Sequence, residues 1–287
     1  MVTTFIGLGS FADVGADSPW TVTVAWGDGS TDETLEVGTP GDLGSLPHTY
    51  ADNGVYPVMV TVTDKDAASG TATFSVDVAN VTPTVTAPAN QTATEGTSKT
   101  FSLGSFTDPG AEGTWTVTVD WGDGTTESFP VTKTTTSATI PGKNHVYADD
   151  SGARTYPVTV SVLEADDTDG FPATGAKKTF SVTVSNVAPV VKTPGSQTVT
   201  VNSSTLINLV SFVDPGDDSP WTVTVTWGDG TTQTFTVTRP AGAAVGVAIV
   251  IPARAHTYAT AGGKPVRVTV KDDGTTVGTA SFTVTVR

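Results

Sequence analysis

The stretch WTVTVAWGDGST, residues 20–31, decides the fold. In an extended chain successive side chains point to opposite faces. Trp20, Val22, Val24 and Trp26 therefore share one face, and Thr21, Thr23 and Ala25 the other. An apolar Trp–Val face opposite a Thr face predicts a strand of a sheet that is covered on one side and solvated on the other. Gly27-Asp28-Gly29 then reverses the chain, because glycine accepts a positive φ and aspartate hydrogen-bonds amides of its own turn. A second strand leaves as STDETLEV, residues 30–37.

The same twelve positions return as WTVTVDWGDGTT (115–126) and WTVTVTWGDGTT (221–232), and all six tryptophans of the chain lie in them. A His-x-Tyr element follows each time: His48/Tyr50, His145/Tyr147 and His256/Tyr258. Then come the alternating runs YPVMVTVTD, YPVTVSVLE and KPVRVTVKD, and each copy closes on FSVDVANV, FSVTVSNV or FTVTVR. In the first of these runs Tyr56, Val58, Val60 and Val62 share a face. Internal repetition at about 80–105 residues is too long for a solenoid unit and suits one small sandwich domain per copy. The linkers NVTPTVTAP (80–88) and NVAPVVKTP (186–194) place the domains at 1–80, 81–186 and 187–287. The expected fold class is all-β, three tandem β-sandwiches, with no helix.

Composition agrees. Hydrophobic residues are 37% and charged residues 15% of the 287, neither a disordered nor a membrane composition. Threonine, β-branched and strand-favouring, is about a fifth of the chain, and leucine is scarce. A net charge of −15 argues against a nucleic-acid partner. With no cysteine, disulfides and thiolate chemistry are excluded. No apolar run spans a bilayer, so membrane insertion of this segment is not expected. The start, MVTTFIGLGSFADVG, lacks the basic and apolar regions of a signal peptide, so an export signal would lie outside this chain.

The ordered set WGDG…HTY…GVYPVMVTVTD, met three times, resembles the polycystic kidney disease (PKD) domain family, whose pattern runs Trp-x-Phe-Gly-Asp-Gly, His-x-Tyr, Gly-x-Tyr-x-Val-x-Val-x-Val. The resemblance covers nearly the whole chain. It departs at Trp26, where the family usually has Phe, at Val24, where it usually has Trp, and at Lys264, which replaces the Tyr of Gly-x-Tyr. The resemblance implies an immunoglobulin-like sandwich and an extracellular or cell-surface module. Its expected partners are other domains of the same array, other surface proteins, or a carbohydrate or protein polymer. It does not imply catalysis.

Residues repeated in every copy read as structural: Trp26, Asp28, His48 and Tyr50; Trp121, Asp123, His145 and Tyr147; Trp227, Asp229, His256 and Tyr258. Tyr50 is placed like the tyrosine corner of immunoglobulin-like domains. No nucleophile elbow, zinc-protease helix or phosphate loop is present, so no catalytic and no cofactor-binding residue is expected, and no cofactor is required. Trp20, Trp115 and Trp221 open their strands, where rings either fill the core or reach the rim to stack on sugar; the apolar face favours core. Regular threonine rows raise ice binding, which the twist of sandwich sheets disfavours.

Calcium is the one candidate ion. Acids gather after the Ser-Phe pair (Asp13, Asp17; Asp108, Glu112; Asp214, Asp217, Asp218) and before the last strand (Asp64, Asp66; Glu164, Asp166, Asp167, Asp169; Asp272, Asp273). The low-order candidates are Glu164, Asp166, Asp167, Asp169, Asp13, Asp17, Asp64 and Asp66, against the alternative that these acids only solvate loops. The linkers themselves lack the Asp residues of calcium-bridged tandem domains. Sequons stand at Asn80, Asn90 and Asn202.

The reading is a non-enzymatic extracellular spacer, stalk or adhesion segment. One alternative is an accessory polysaccharide- or protein-binding module of a secreted enzyme. A second follows from the first copy, whose MVTTFIGLGSF lacks the leading strand of the other two: either Met1 marks a fragment of a longer array, or a neighbouring subunit completes the domain and builds a surface fibre.

Overall fold

The computed structural model describes residues 4–110, 113–150, 155–164, 175–274 and 276–287. All regular structure in them is strand, as the alternating runs predict. Among the described residues no helix is long and apolar enough to cross a membrane.

The second copy shows the plan in full. One face is a five-stranded sheet in the order Gln91–Thr94, Gly175–Ser185, Thr155–Glu164, Thr114–Asp120, Thr126–Thr132. Its first pair is parallel and the rest antiparallel. The other face holds Ser137–Thr139, Ser105–Thr107 and Thr84–Thr86, with a short ladder of Lys99–Phe101 against Lys143–His145. The third copy repeats this order, from Gln197–Val199 across to Thr232–Val237. The first copy has a four-stranded sheet, Glu33–Val37, Trp20–Ala25, Gly54–Thr63, Ser69–Val78. Among its described residues no parallel strand lies outside Ser69–Val78, and Phe74, Val76 and Val78 are only half-buried, where Phe180, Val182 and Val184 of the second copy are buried.

Three separate apolar cores result, each drawn from one copy. All six tryptophans are buried, so the strand-opening Trp20, Trp115 and Trp221 are core rather than rim. Their partners differ. Trp20 packs edge-on against Phe11, while Lys133 and Arg239 lie over the rings of Trp115 and Trp221, each at 5.2 Å. The solvated faces carry hydroxyl pairs across strands, Thr118–Ser128 at 2.8 Å and Thr224–Thr234 at 3.1 Å among them. Threonine here links neighbouring strands as well as favouring them.

The first glycine of each Gly-Asp-Gly is required twice over. Gly27, Gly122 and Gly228 have φ of 81°, 78° and 78°. A Cβ on them would meet the carbonyl oxygen of Pro57, Pro157 or Pro265 at 2.5, 2.8 or 2.6 Å. The second glycine, Gly124, has φ of 92° and open space around it. Gly122→Ala is therefore expected to cost roughly 2 kcal/mol, and Gly124→Ala about half of that, since only the first adds a backbone clash to the left-handed strain. Urea denaturation of the two variants checks the order; equal losses would refute the close-approach account.

Candidate functional site

The repeated motif residues converge in each copy. The aspartate of Gly-Asp-Gly accepts the amide two residues on, Ser30, Thr125 or Thr231, each at 3.0 Å, and the hydroxyl of the same residue. Its other oxygen lies 2.7–2.8 Å from Nε2 of His48, His145 or His256. That imidazole stacks on Trp26, Trp121 or Trp227 with ring centroids 4.4–4.5 Å apart and planes within 9°. Tyr50, Tyr147 and Tyr258 meet the imidazole edge-on and donate their hydroxyls to the tryptophan carbonyls. The tyrosine thus bonds a carbonyl 24–31 residues upstream, across the sandwich end. This corrects the tyrosine-corner expectation, in which the bond runs only a few residues back.

Electrostatics follow from this packing. Burial would raise the Asp28 and Asp229 carboxyls, but the bonds from Ser30 and His48, and from Thr231 and His256, outweigh it and hold both at about 2. Asp123 is lowered by the same contacts. Burial, then the nearby aspartate, pushes the Tyr258 phenol up to about 12, and Tyr50 and Tyr147 upward too. An Asp–His pair invites comparison with a hydrolase. Here, however, the hydroxyls of Ser30, Thr125 and Thr231 donate to the aspartate and not to the imidazole, so the nucleophile-to-base bond that activates a hydroxyl is not made.

The acidic candidates separate into three places. Asp13, Asp17 and Asp64 come together, with ligand oxygens within 4.8 Å of one another. That group is already occupied: Gly15 N and Trp20 Nε1 donate to Asp13, the Asp66 and Ala68 amides donate to Asp64, and the Lys65 ammonium lies 3.5 Å from Asp17. Asp66 stays at the surface, paired with Lys65. Glu164 is buried at the meeting of the first two copies and accepts from Asn80 of the linker. Asp166, Asp167 and Asp169 lie outside the described residues.

The third place was not legible as a site. Glu95, Asp149 and Asp150 of the second copy meet Asp218 of the third, again with ligand oxygens within 4.8 Å. Glu95 is 0% and Asp218 1% exposed. Glu95 accepts from the Asp150 amide at 3.2 Å and from Val187 N, in the linker, at 2.6 Å. The backbones close in around them. Asp217 N donates to Ala148 O at 2.8 Å, and a Cβ on Gly216 would fall 2.3 Å from Asp218 Oδ2. Burial, then the charges of Asp214 and Asp150, raises Glu95 to about 7, and burial with Glu95 and Asp214 raises Asp218 to about 9. The linkers bring no aspartate of their own, as read from the sequence, yet acids from loops on either side do reach the second junction. A signal was present in the copies themselves. Glu95 aligns with Val201, and Asp149-Asp150 with Thr260-Ala261, so the third copy lacks at its far end the acids the second copy carries.

No protein-family model matches the chain, and no curated protein is similar to it. Among solved structures it is similar to a tetra-tandem repeat in the extending region of a large adhesion protein, at 18% identity over 96% of this chain and 68% of that one, with a TM-score of 0.49. It is also similar to mouse cadherin-23 EC22-24, at 15% identity over 97% and 89% with a TM-score of 0.35. The I67-I69 fragment of the titin I-band is 11% identical over 94% and 89%, with a TM-score of 0.41.

Proposed function

We propose that this chain is a non-enzymatic extracellular segment, a string of three PKD-like sandwiches joined at 80/81 and 186/187 that serves as a spacer or stalk in a surface or adhesion protein. The observation that carries this reading is the threefold Asp–His–Trp–Tyr cluster. Every residue type that suggests chemistry in the sequence is used, in each copy, to close the end of a sandwich. A function built on one reacting centre has no need of three equivalent ones, whereas an array under tension needs each unit to hold alone.

Pulling the full chain from its two ends tests this. Independent sandwiches should give successive unfolding steps, each releasing on the order of 30 nm at about 3.5 Å per residue. One cooperative rupture would overturn the array reading. Retention on a polysaccharide or protein polymer would instead favour the accessory binding module, which would have to use a surface other than the buried tryptophans.

A further inference from the structure

We propose that Glu95, Asp149, Asp150 and Asp218 form a calcium site that spans the seam between the second and third copies. Two independent observations point there. The four carboxylates, from two copies of the repeat, each offer an oxygen within 4.8 Å of the others, as ligands of one ion would. In addition, Asp218 is 1% exposed, and among the described residues neither of its oxygens receives a hydrogen bond from an N–H or hydroxyl donor. Its neighbour Asp214 is itself an acceptor, from Trp221 Nε1 at 2.8 Å and the Gly216 amide, so it can bond Asp218 only if one of the two is protonated. A buried carboxyl with no donor either keeps its proton or meets a cation, and a cation displaces the proton to use the oxygens as ligands.

The first junction supplies the comparison. There Asp108, which aligns with Asp214, is buried beside the protein's own ammonium. Lys133 Nζ lies 3.6 Å from Asp108 Oδ1 and donates to the carbonyls of Asp108 and Gly110 at 3.0 and 2.7 Å. In the third copy the aligned cation is Arg239, which keeps the Gly216 carbonyl, the counterpart of Gly110, but pairs with Asp217 at 3.3 Å and bonds the Ala244 carbonyl. The second junction therefore brings in acids from both sides while its own arginine is engaged beside the cluster. Asp272 and Asp273 add further negative charge. Asp272 accepts from Thr276, and Asp273 is pushed up by burial and by Asp149 and Asp150.

The donor set selects the ion. It is all oxygen, rich in carboxylate and without imidazole, since each histidine is bonded to its own aspartate. Such a set suits a hard cation, and an irregular site assembled from separate loops suits calcium better than magnesium, which demands a near-ideal octahedron. Because the ligands come from two copies, binding would fix their relative placement. That mechanical consequence rests on the array reading; the binding itself does not.

Calorimetry and thermal melting of the full chain, first treated with EDTA, test the site. Calcium should bind with a Kd on the order of 0.1–1 mM. It should raise the melting temperature of the second and third copies by about 5 °C at tenfold excess over Kd, an increase EDTA reverses. Glu95→Gln and Asp218→Asn should each weaken binding at least about tenfold while leaving the calcium-free protein folded by circular dichroism, because each replaces a carboxyl crowded by other acids with a neutral group of nearly the same shape. Asp149→Asn gives a third variant should either of those fail to fold. Asp17→Asn, in the first copy, should change nothing. The proposal is overturned if about 10 mM calcium gives neither heat nor a thermal shift, a range that covers weak extracellular sites. It is equally overturned if binding survives in the cluster variants, is lost in Asp17→Asn, or is matched by magnesium at the same ionic strength. A calcium response with a single mechanical rupture would leave the site standing and retire the array reading.

Discussion

Trp121→Ala is expected to lower the stability of the second copy by about 3–5 kcal/mol. Trp121 is buried against Phe101 and lies parallel to His145 at 4.4 Å. Removing the indole takes away its transfer free energy and leaves a void that the sheets on either side hold open. It also strips the stacking partner from an imidazole held at the other end by Asp123, so the motif loses its filler while its hydrogen bonds still fix its geometry. The Tyr147 hydroxyl bonds the Trp121 carbonyl, a backbone group that survives the change, so the tyrosine is not expected to rescue the void. In urea denaturation the transition of the second copy should move to lower denaturant while that of the third stays in place, because the two cores share no residue. A loss below about 1.5 kcal/mol would mean that the site collapses around the missing ring and that the cluster is not a rigid element.

The sandwich was legible because its signal is local. Trp115, Val117, Val119 and Trp121 alternate along one strand, and burial needs no knowledge of what lies opposite. The turn role of Asp123 was legible for the same reason, since Thr125 is two residues away. Its second bond was not, because His145 is 22 residues on and reaches Asp123 only when the sandwich end closes. The recurrence of Asp and His together in every copy was the available clue. Glu95 was harder still. In QTATEGTSK it reads as one exposed acid in a tight turn, and it becomes buried only because Val187 and the Gly216 loop of the next copy pack over it. Conversely, Glu164 drew notice through the acids that follow it, whereas its described partner is Asn80 of the preceding linker. Acid-rich loops show where charge is plentiful; which charges lose water depends on how one copy abuts the next.

Asp28, Asp123 and Asp229 set the acid end of the stability profile. Each carboxyl has a folded pKa below its unfolded value: Asp28 and Asp229 at about 2, and Asp123 in the same direction. A group lowered on folding stabilises the native state in its ionised form. The contribution is therefore fully present above the unfolded value near 4 and is lost as pH falls through the folded value near 2. Acid should thus destabilise all three copies over one window, because the same carboxylate accepts the same amide, hydroxyl and imidazole in each. Asp229→Ala removes the acceptor from the Thr231 amide and from His256 together and is expected to cost about 2–3 kcal/mol at neutral pH, as for bonds to a charged group. Asp229→Asn separates charge from shape. Its side chain can still accept from the turn amide, so it should lose less, and the acid-dependent part of the third copy's stability should shrink. Chemical denaturation of wild type and both variants between about pH 2 and pH 7 measures this directly. A wild-type profile that is flat across that window, or an Asp229→Asn profile as steep as the wild type's, would show that the aspartate–histidine pair contributes packing without charge.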